Sequence, residues 1–208
     1  TTLIQPQQLQ REYAAPGWAV FDCRFDLADK ARGERDYRTG HIPGARFAHL
    51  ERELSGPITA SSGRHPLPDP AALNHWLGTQ GVGPGTQVVA YDDSAGSMAV
   101  RLWWLLRWLG HRRVTVLDGG LQAWRAMELP LEAGLQETAR REFRATPDPE
   151  RVLSTEEIAA DLDAGLISDC IALEVEDETV AKRRVGCRQD VVVTPIRPHR
   201  SDGRDPTG

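Results

Sequence analysis

Two acids interrupt this chain where an apolar run gives way to small residues. Val88-Val89-Ala90-Tyr91 leads into Asp92-Asp93-Ser94-Ala95-Gly96-Ser97, and an apolar helical pattern runs on from Met98 past Arg101. In alternating α/β chains, the loop between a strand's carboxyl end and the next helix is where anions and nucleophiles sit, because the helix's first N–H groups point into it. The residue types allow two chemistries. A carboxylate or hydroxyl at Asp92, Asp93 or Ser94 can accept those N–H groups as a helix cap, worth about 1 kcal/mol. The paired acids could instead hold Mg²⁺, as in phosphoaspartate-forming folds, but the lysine and further acids of that chemistry have no recognisable counterparts downstream.

Other reactive side chains are scattered. The three cysteines, Cys23, Cys170 and Cys187, are odd in number and widely spaced. They give neither a disulfide framework nor a metal-ligand spacing, so neither a metal nor a cofactor is expected. Cys23 suits a small buried side chain, with a reactive thiol as the alternative, and its neighbours Asp22 and Arg24 are expected to form a buried pair. His41, within Gly40-His41-Ile42-Pro43-Gly44-Ala45, reads as a structural hydrogen-bonder. Arg101 could orient an anion near the Asp92–Ser97 loop, or face solvent or an ion-pair partner. Trp103, Trp104 and Trp108 share a helix that must pack on a sheet or against another domain.

Alternating elements must position these groups. Val20-Phe21-Asp22-Cys23 reads as a buried strand, Asp26 to Thr39 as a charged loop or irregular helix, and Gly40 to Arg46 as a turn and short strand. Ser55 to Pro70 is a long loop rich in Gly, Pro and Ser. Pro70 to Thr79 predicts a helix with Leu73, Trp76 and Leu77 on one face. Gln87 to Tyr91 predicts a strand, Gly96 to Leu109 a helix, Val114 to Leu117 a strand, and Gly120 to Trp124 a helix. This alternation implies an α/β fold with a doubly wound, mostly parallel sheet.

Composition narrows the function classes. The 208 residues are 40% hydrophobic and 26% charged, with a formal net charge of -5, which argues against a general nucleic-acid binder. No run of eighteen apolar residues offers a membrane span, and Thr1 to Gln5 lacks a signal-peptide pattern. The cysteine usage predicts a reducing, cytoplasmic setting.

Three stretches together resemble the rhodanese, or sulfurtransferase, family. Gly40-His41-Ile42-Pro43-Gly44-Ala45 is similar to its characteristic turn, and Val116-Leu117-Asp118-Gly119-Gly120-Leu121-Gln122-Ala123-Trp124 to its strand-Gly-Gly-x-x-x-Trp segment. Tyr91-Asp92, leading to Gly96, Arg101 and Trp103-Trp104, sits where the family keeps its active-site loop. The resemblance covers residues 1–133 and is closer still to the first half of two-domain thiosulfate or 3-mercaptopyruvate sulfurtransferases, whose first domain usually lacks the catalytic cysteine that the second carries. Gly63-Arg64-His65-Pro66-Leu67-Pro68 fits that first domain. The resemblance implies that Arg64 and His65, and by its place Arg101, contact a neighbouring domain or an anion, and that Asp92 occupies the catalytic cysteine's position. No residue of this chain is then expected to be catalytic; Asp92, Asp93, Ser94, Ala95, Gly96 and Ser97 form a degenerate active-site loop.

Beyond that domain, residues 134–150 read as a linker with several prolines and charges. Ser154-Thr155-Glu156-Glu157 is a capping box, and Leu166-Ile167-Ser168-Asp169 the first strand of a second rhodanese-like unit spanning 151–170. From 171 to 208 the pattern diverges. The family's Asp-x-Arg strand end is replaced by Asp169-Cys170-Ile171, no second His-Ile-Pro-Gly turn follows, and Cys187 comes too soon after Cys170 to be the family nucleophile. Val191-Val192-Val193 could be a strand, whereas Ser201 to Gly208 reads as disordered. The expectation is a truncated or aberrant second domain with an out-of-frame tail, which an arginine-rich, GC-rich gene permits, a genuinely divergent tail being the alternative. The chain is therefore expected to be the non-catalytic first domain of a sulfurtransferase, without the catalytic cysteine and inactive alone, meeting a small sulfur donor only beside a complete second domain. The alternative is a pseudoenzyme or protein-interaction module of the same fold.

Overall fold

The computed structural model describes residues 2–60 and 62–153, together with the strand backbones at 172–176, 179–183 and 192–195. It falls into two units, Thr1–Arg151 and Val152–Gly208. In the first unit the elements run β1 (Leu3–Ile4), α1 (Pro6–Glu12), β2 (Trp18–Asp22), α2 (Arg32–Thr39), β3 (Arg46–Phe47), α3 (Pro70–Thr79), β4 (Gln87–Tyr91), α4 (Ala99–Trp108), β5 (Val114–Leu117) and α5 (Gly120–Ala126). The strands form one sheet in the order β1-β5-β4-β2-β3, and every pairing is parallel.

An apolar run without polar alternation belongs in a strand covered on both faces, and β4 at the sheet's centre behaves so. Val88 and Ala90 join Phe21, Leu102, Leu105 and Leu106 in a core on the α4 side. Val89 and Tyr91 join Leu9, Val20, Leu121 and Trp124 on the opposite face, as the period-two alternation of a strand requires. The doubly wound α/β expectation is met, with the sheet wholly parallel.

Some elements differ from expectation. The edge strand β1 is too short for periodicity to reveal. The charged stretch from Asp26 becomes a helix from Arg32 onward, laced by Arg32–Asp36 and Arg38–Glu34 pairs four residues apart. Helix α4 begins at Ala99 instead of Gly96, because the residues between are folded around Asp92.

Residues 132–148, which pass from the end of the expected 1–133 domain into the expected 134–150 linker, run as a strap along the first unit. Glu132 and His41 exchange backbone hydrogen bonds. Further on, Gly134 N donates to Arg38 O, Arg141 N to Gly78 O and Asp148 N to Trp108 O. Phe143 is the strap's apolar anchor, 6% exposed and edge-on to His111. In the second unit, β6 (Ala172–Glu176), β7 (Thr179–Arg183) and β8 (Val192–Pro195) pair antiparallel in that order. The capping-box helix, the Leu166–Asp169 strand, Cys170, Cys187 and Ser201–Gly208 lie outside the described residues. No helix among the described residues is long and apolar enough to cross a membrane.

Candidate functional site

Strand β4 delivers Asp92 to the carboxyl edge of the sheet, where its side chain is fully buried. Its Oδ1 accepts N–H groups from Ser94 (2.9 Å) and Gly96 (2.8 Å), and its Oδ2 accepts those of Met98 (2.7 Å) and Ala99 (2.8 Å). Four backbone donors thus converge on one carboxylate, at the head of α4 where the helix dipole favours negative charge. Wrapping the loop that tightly takes Ala95 and Gly96 into the left-handed region, at φ 56° and 85°; for Ala95 that conformation is unfavourable. Ser94 and Ser97 pair through their hydroxyls at 3.0 Å.

The Gly119-Gly120 pair closes the cradle from behind. Leu121 N donates to Asp92 O at 2.8 Å, and a Cβ on Gly120 would lie 2.4 Å from that same carbonyl oxygen. A side chain there would push α5 off the loop.

Asp93 turns the other way. Its carboxylate meets Arg32 Nη2 at 2.9 Å and borders a cleft of about 370 Å³ lined by Arg24, Arg32, Asp36, Thr39, Gly40, Asp93, Arg125 and Leu131. With Asp92 saturated by N–H groups and Asp93 held by a guanidinium, the two acids do not converge on a common ligand. Among the described residues, no three His, Cys, Asp or Glu side chains are grouped to hold a metal ion.

Beneath the cleft lies the buried pair read from Asp22 and Arg24. Arg24 Nε and Nη2 reach Asp22 Oδ2 at 2.9 and 2.6 Å, and Nη2 also donates to Gly40 O. Tyr91 Oη donates to Asp22 Oδ2 at 2.8 Å and accepts Ile42 N at 3.1 Å. Burial pushes the Asp22 carboxyl up, against the opposing pull of Arg24. This network locks the Gly-His-Ile-Pro turn to the ends of β2 and β4. His41 is buried within that turn, its Nδ1 2.7 Å from Tyr37 O and its ring stacked on Tyr37. Cys23 is buried, and desolvation drives its thiol well above the ordinary range, the state of an unreactive cysteine.

The remaining site residues lie on the other flank. Arg101 does not aim at the loop anion: Nε donates to Leu54 O (3.1 Å), and Nη2 to His65 O (3.0 Å) and Pro66 O (2.9 Å). Arg64 is exposed beside His65. The His65 ring stands edge-on to Phe25, with Nε2 3.6 Å from Glu51 Oε1. Burial lowers the His65 pKa, Glu51 opposes this, and the Arg101 and Arg64 charges add to the lowering. Sequence reasoning missed Glu51, Arg32 and Arg125. Glu51 sits in a turn with no spacing rule to His65, and the other two belong to helical surfaces that carry many charges.

The rhodanese-like domain profile matches residues 5–127. The chain is 46% identical over 162 residues to a probable 3-mercaptopyruvate sulfurtransferase of Pseudomonas aeruginosa, covering 77% of this chain and 57% of that protein. It is 41% identical over 116 residues to a putative thiosulfate sulfurtransferase, SseB, of Mycobacterium tuberculosis, covering 56% and 40% respectively. Among solved structures, SseA from Escherichia coli, determined for the fold and mechanism of 3-mercaptopyruvate sulfotransferases, superposes with a TM-score of 0.71 at 30% identity, over 78% of this chain and 62% of that one. The chain therefore spans only part of the length of the relatives it matches. It belongs to the family of rhodanese-like domains.

Proposed function

We propose that this chain provides the half of a sulfurtransferase that lacks the catalytic cysteine, in an enzyme that draws sulfane sulfur from 3-mercaptopyruvate or thiosulfate and passes it to cyanide or a thiol. The observation that carries the reading is the carboxylate of Asp92 filling a four-donor cradle at the position where the family resemblance puts a cysteine. Such a cradle suits a thiolate and the persulfide formed on it. A cysteine thiolate that attacks the sulfane sulfur of thiosulfate forms a new S–S bond and releases sulfite. A carboxylate in the same cradle accepts the same hydrogen bonds and has no sulfur on which to build a persulfide. The nucleophile then comes from a second domain, and this half supplies the flank bearing Arg64, His65 and Glu51. The names of the relatives support the donor class, and a reducing cytoplasm suits the buried, unpaired Cys23.

The test is thiocyanate formation from cyanide with either donor, using the purified chain and its Cys23→Ser, Cys170→Ser and Cys187→Ser variants. The expected result is no turnover from the chain alone, and turnover once a cysteine-bearing rhodanese domain is supplied. Turnover by the chain alone that disappears in one serine variant would overturn the reading and identify the nucleophile.

A further inference from the structure

We propose that Arg101 is a positioning residue for His65, clamping the loop that carries it and setting a positive charge behind it. The proposal rests on the reading above, in which the His65 flank faces the sulfur donor.

The geometry is specific. The loop from Ser55 to Pro66 leaves and rejoins the domain at one place, where Gly56 N donates to Pro66 O at 3.0 Å. The Arg101 guanidinium grips both ends of it, through Leu54 O on one side and His65 O and Pro66 O on the other. Gly56 is pressed so close to Leu67 O that a Cβ would stand 2.5 Å from it. A planar fork with several donors suits three carbonyls converging from two strands of chain; a lysine reaches them only as a point charge. No carboxylate is paired with Arg101 among the described residues, so its full charge is felt nearby.

The charged groups that face His65 are few. Glu51 stands at 3.6 Å and is itself bound to Lys30; Arg64 flanks it on its own loop and Arg101 lies behind it on α4, while Phe25 covers the ring edge. Glu51 favours the imidazolium; Arg101, Arg64 and burial favour the neutral ring. A neutral imidazole near a carboxylate can take a proton from a donor bound at this flank. Arg101 is also two residues beyond Ala99, whose N–H is bound by Asp92. The aspartate in the cysteine's place therefore anchors the helical turn from which the clamp reaches out.

The experiment is an NMR titration of the chain's histidines, with His65 assigned through His65→Ala, combined with hydrogen exchange at Gly56. Arg101→Gln should raise the His65 midpoint by roughly half a pH unit or more and speed Gly56 exchange about tenfold. Arg101→Lys should keep the midpoint while loosening the loop. An unchanged midpoint and unchanged exchange in a folded Arg101→Gln protein overturn the proposal. A second readout is sulfur transfer from 3-mercaptopyruvate by the chain joined with a cysteine-bearing domain, where Arg101→Gln should raise KM more than it lowers kcat, with partial rescue by lysine. If His65→Ala leaves turnover unchanged, the functional reading fails. If His65→Ala abolishes turnover and Arg101→Gln changes neither constant, the positioning role fails.

Discussion

Replacing Asp92 with asparagine separates a cradle from an ordinary helix cap. The amide keeps one oxygen, which can still accept two of the four N–H groups, and turns its NH₂ toward the other two. If the oxygen stays with Ser94 and Gly96, the N–H groups of Met98 and Ala99 face a donor, and that of Ala99 is buried. A buried donor left without a partner costs about 1–3 kcal/mol and the half-buried Met98 donor less, so the pair costs about 3 kcal/mol, a Tm fall of about 6–12 °C for a protein of this length. That is a large share of the roughly 5–15 kcal/mol typical of a domain's stability. The assay is urea and thermal unfolding of Asp92→Asn followed by circular dichroism, with Asp93→Asn as the comparison. Asp93 meets a half-exposed Arg32 at the surface, so its loss should cost less than about 1 kcal/mol. An Asp92→Asn protein destabilised by only about 1 kcal/mol would show an ordinary cap and refute the four-donor reasoning.

Further outcomes follow from the same structure. Asp22→Asn leaves Arg24 buried without its counter-charge and should cost about 3–5 kcal/mol in urea unfolding. Phe143→Ala should cost about 3–5 kcal/mol and expose Arg140, Arg141 and Arg144 to trypsin at a concentration that leaves the parent strap intact. His49, His65 and His111 all have pKa values lowered first by burial. A folded-state pKa below the unfolded one means that each adds stability that is complete above about pH 6.5 and declines as pH falls toward its folded midpoint. NMR midpoints below 6.5 check the direction, and His111→Gln should melt with a shallower pH dependence than the parent.

Elements whose own residues dictate them were legible in the sequence. The strand Gln87–Tyr91 is apolar from Val88 to Ala90 because both its faces are covered, and Pro70 opens a helix whose Asp69 side chain caps it through Ala72 N. The loop acids and the Asp22–Arg24 pair were legible because strand ends in this fold collect polar groups. Long-range packing was not. Nothing in the spacing of residues 132–148 announces a strap, since its ties are one phenylalanine, backbone hydrogen bonds and scattered side-chain bonds such as Asn74 Nδ2 to Ala145 O and Thr138 Oγ1 to Thr79 O. Arg101 is another such case: a helix position nine residues after the strand-end Asp92 suggests a role toward that loop, yet its guanidinium reaches carbonyls distant in sequence.

The position of Arg101 also gives a physical reason for an acid at Asp92. A cradle of four N–H groups left empty would bury unsatisfied donors, and a neutral side chain cannot accept them all. Aspartate is the shortest residue whose two oxygens can divide the four between them, at two donors each. Filling the cradle this way fixes the first turn of α4 without any sulfur chemistry. That turn carries Arg101, and Arg101 holds both ends of the loop bearing Arg64 and His65. The Asp92 loop and the His65 flank are thus mechanically one device. Loosening Asp92 should therefore be felt at His65: Asp92→Asn is expected to speed exchange of the Gly56 amide even though that amide makes no contact with the cradle. Unaltered Gly56 exchange in a destabilised but folded Asp92→Asn protein would show that loop and cradle are independent.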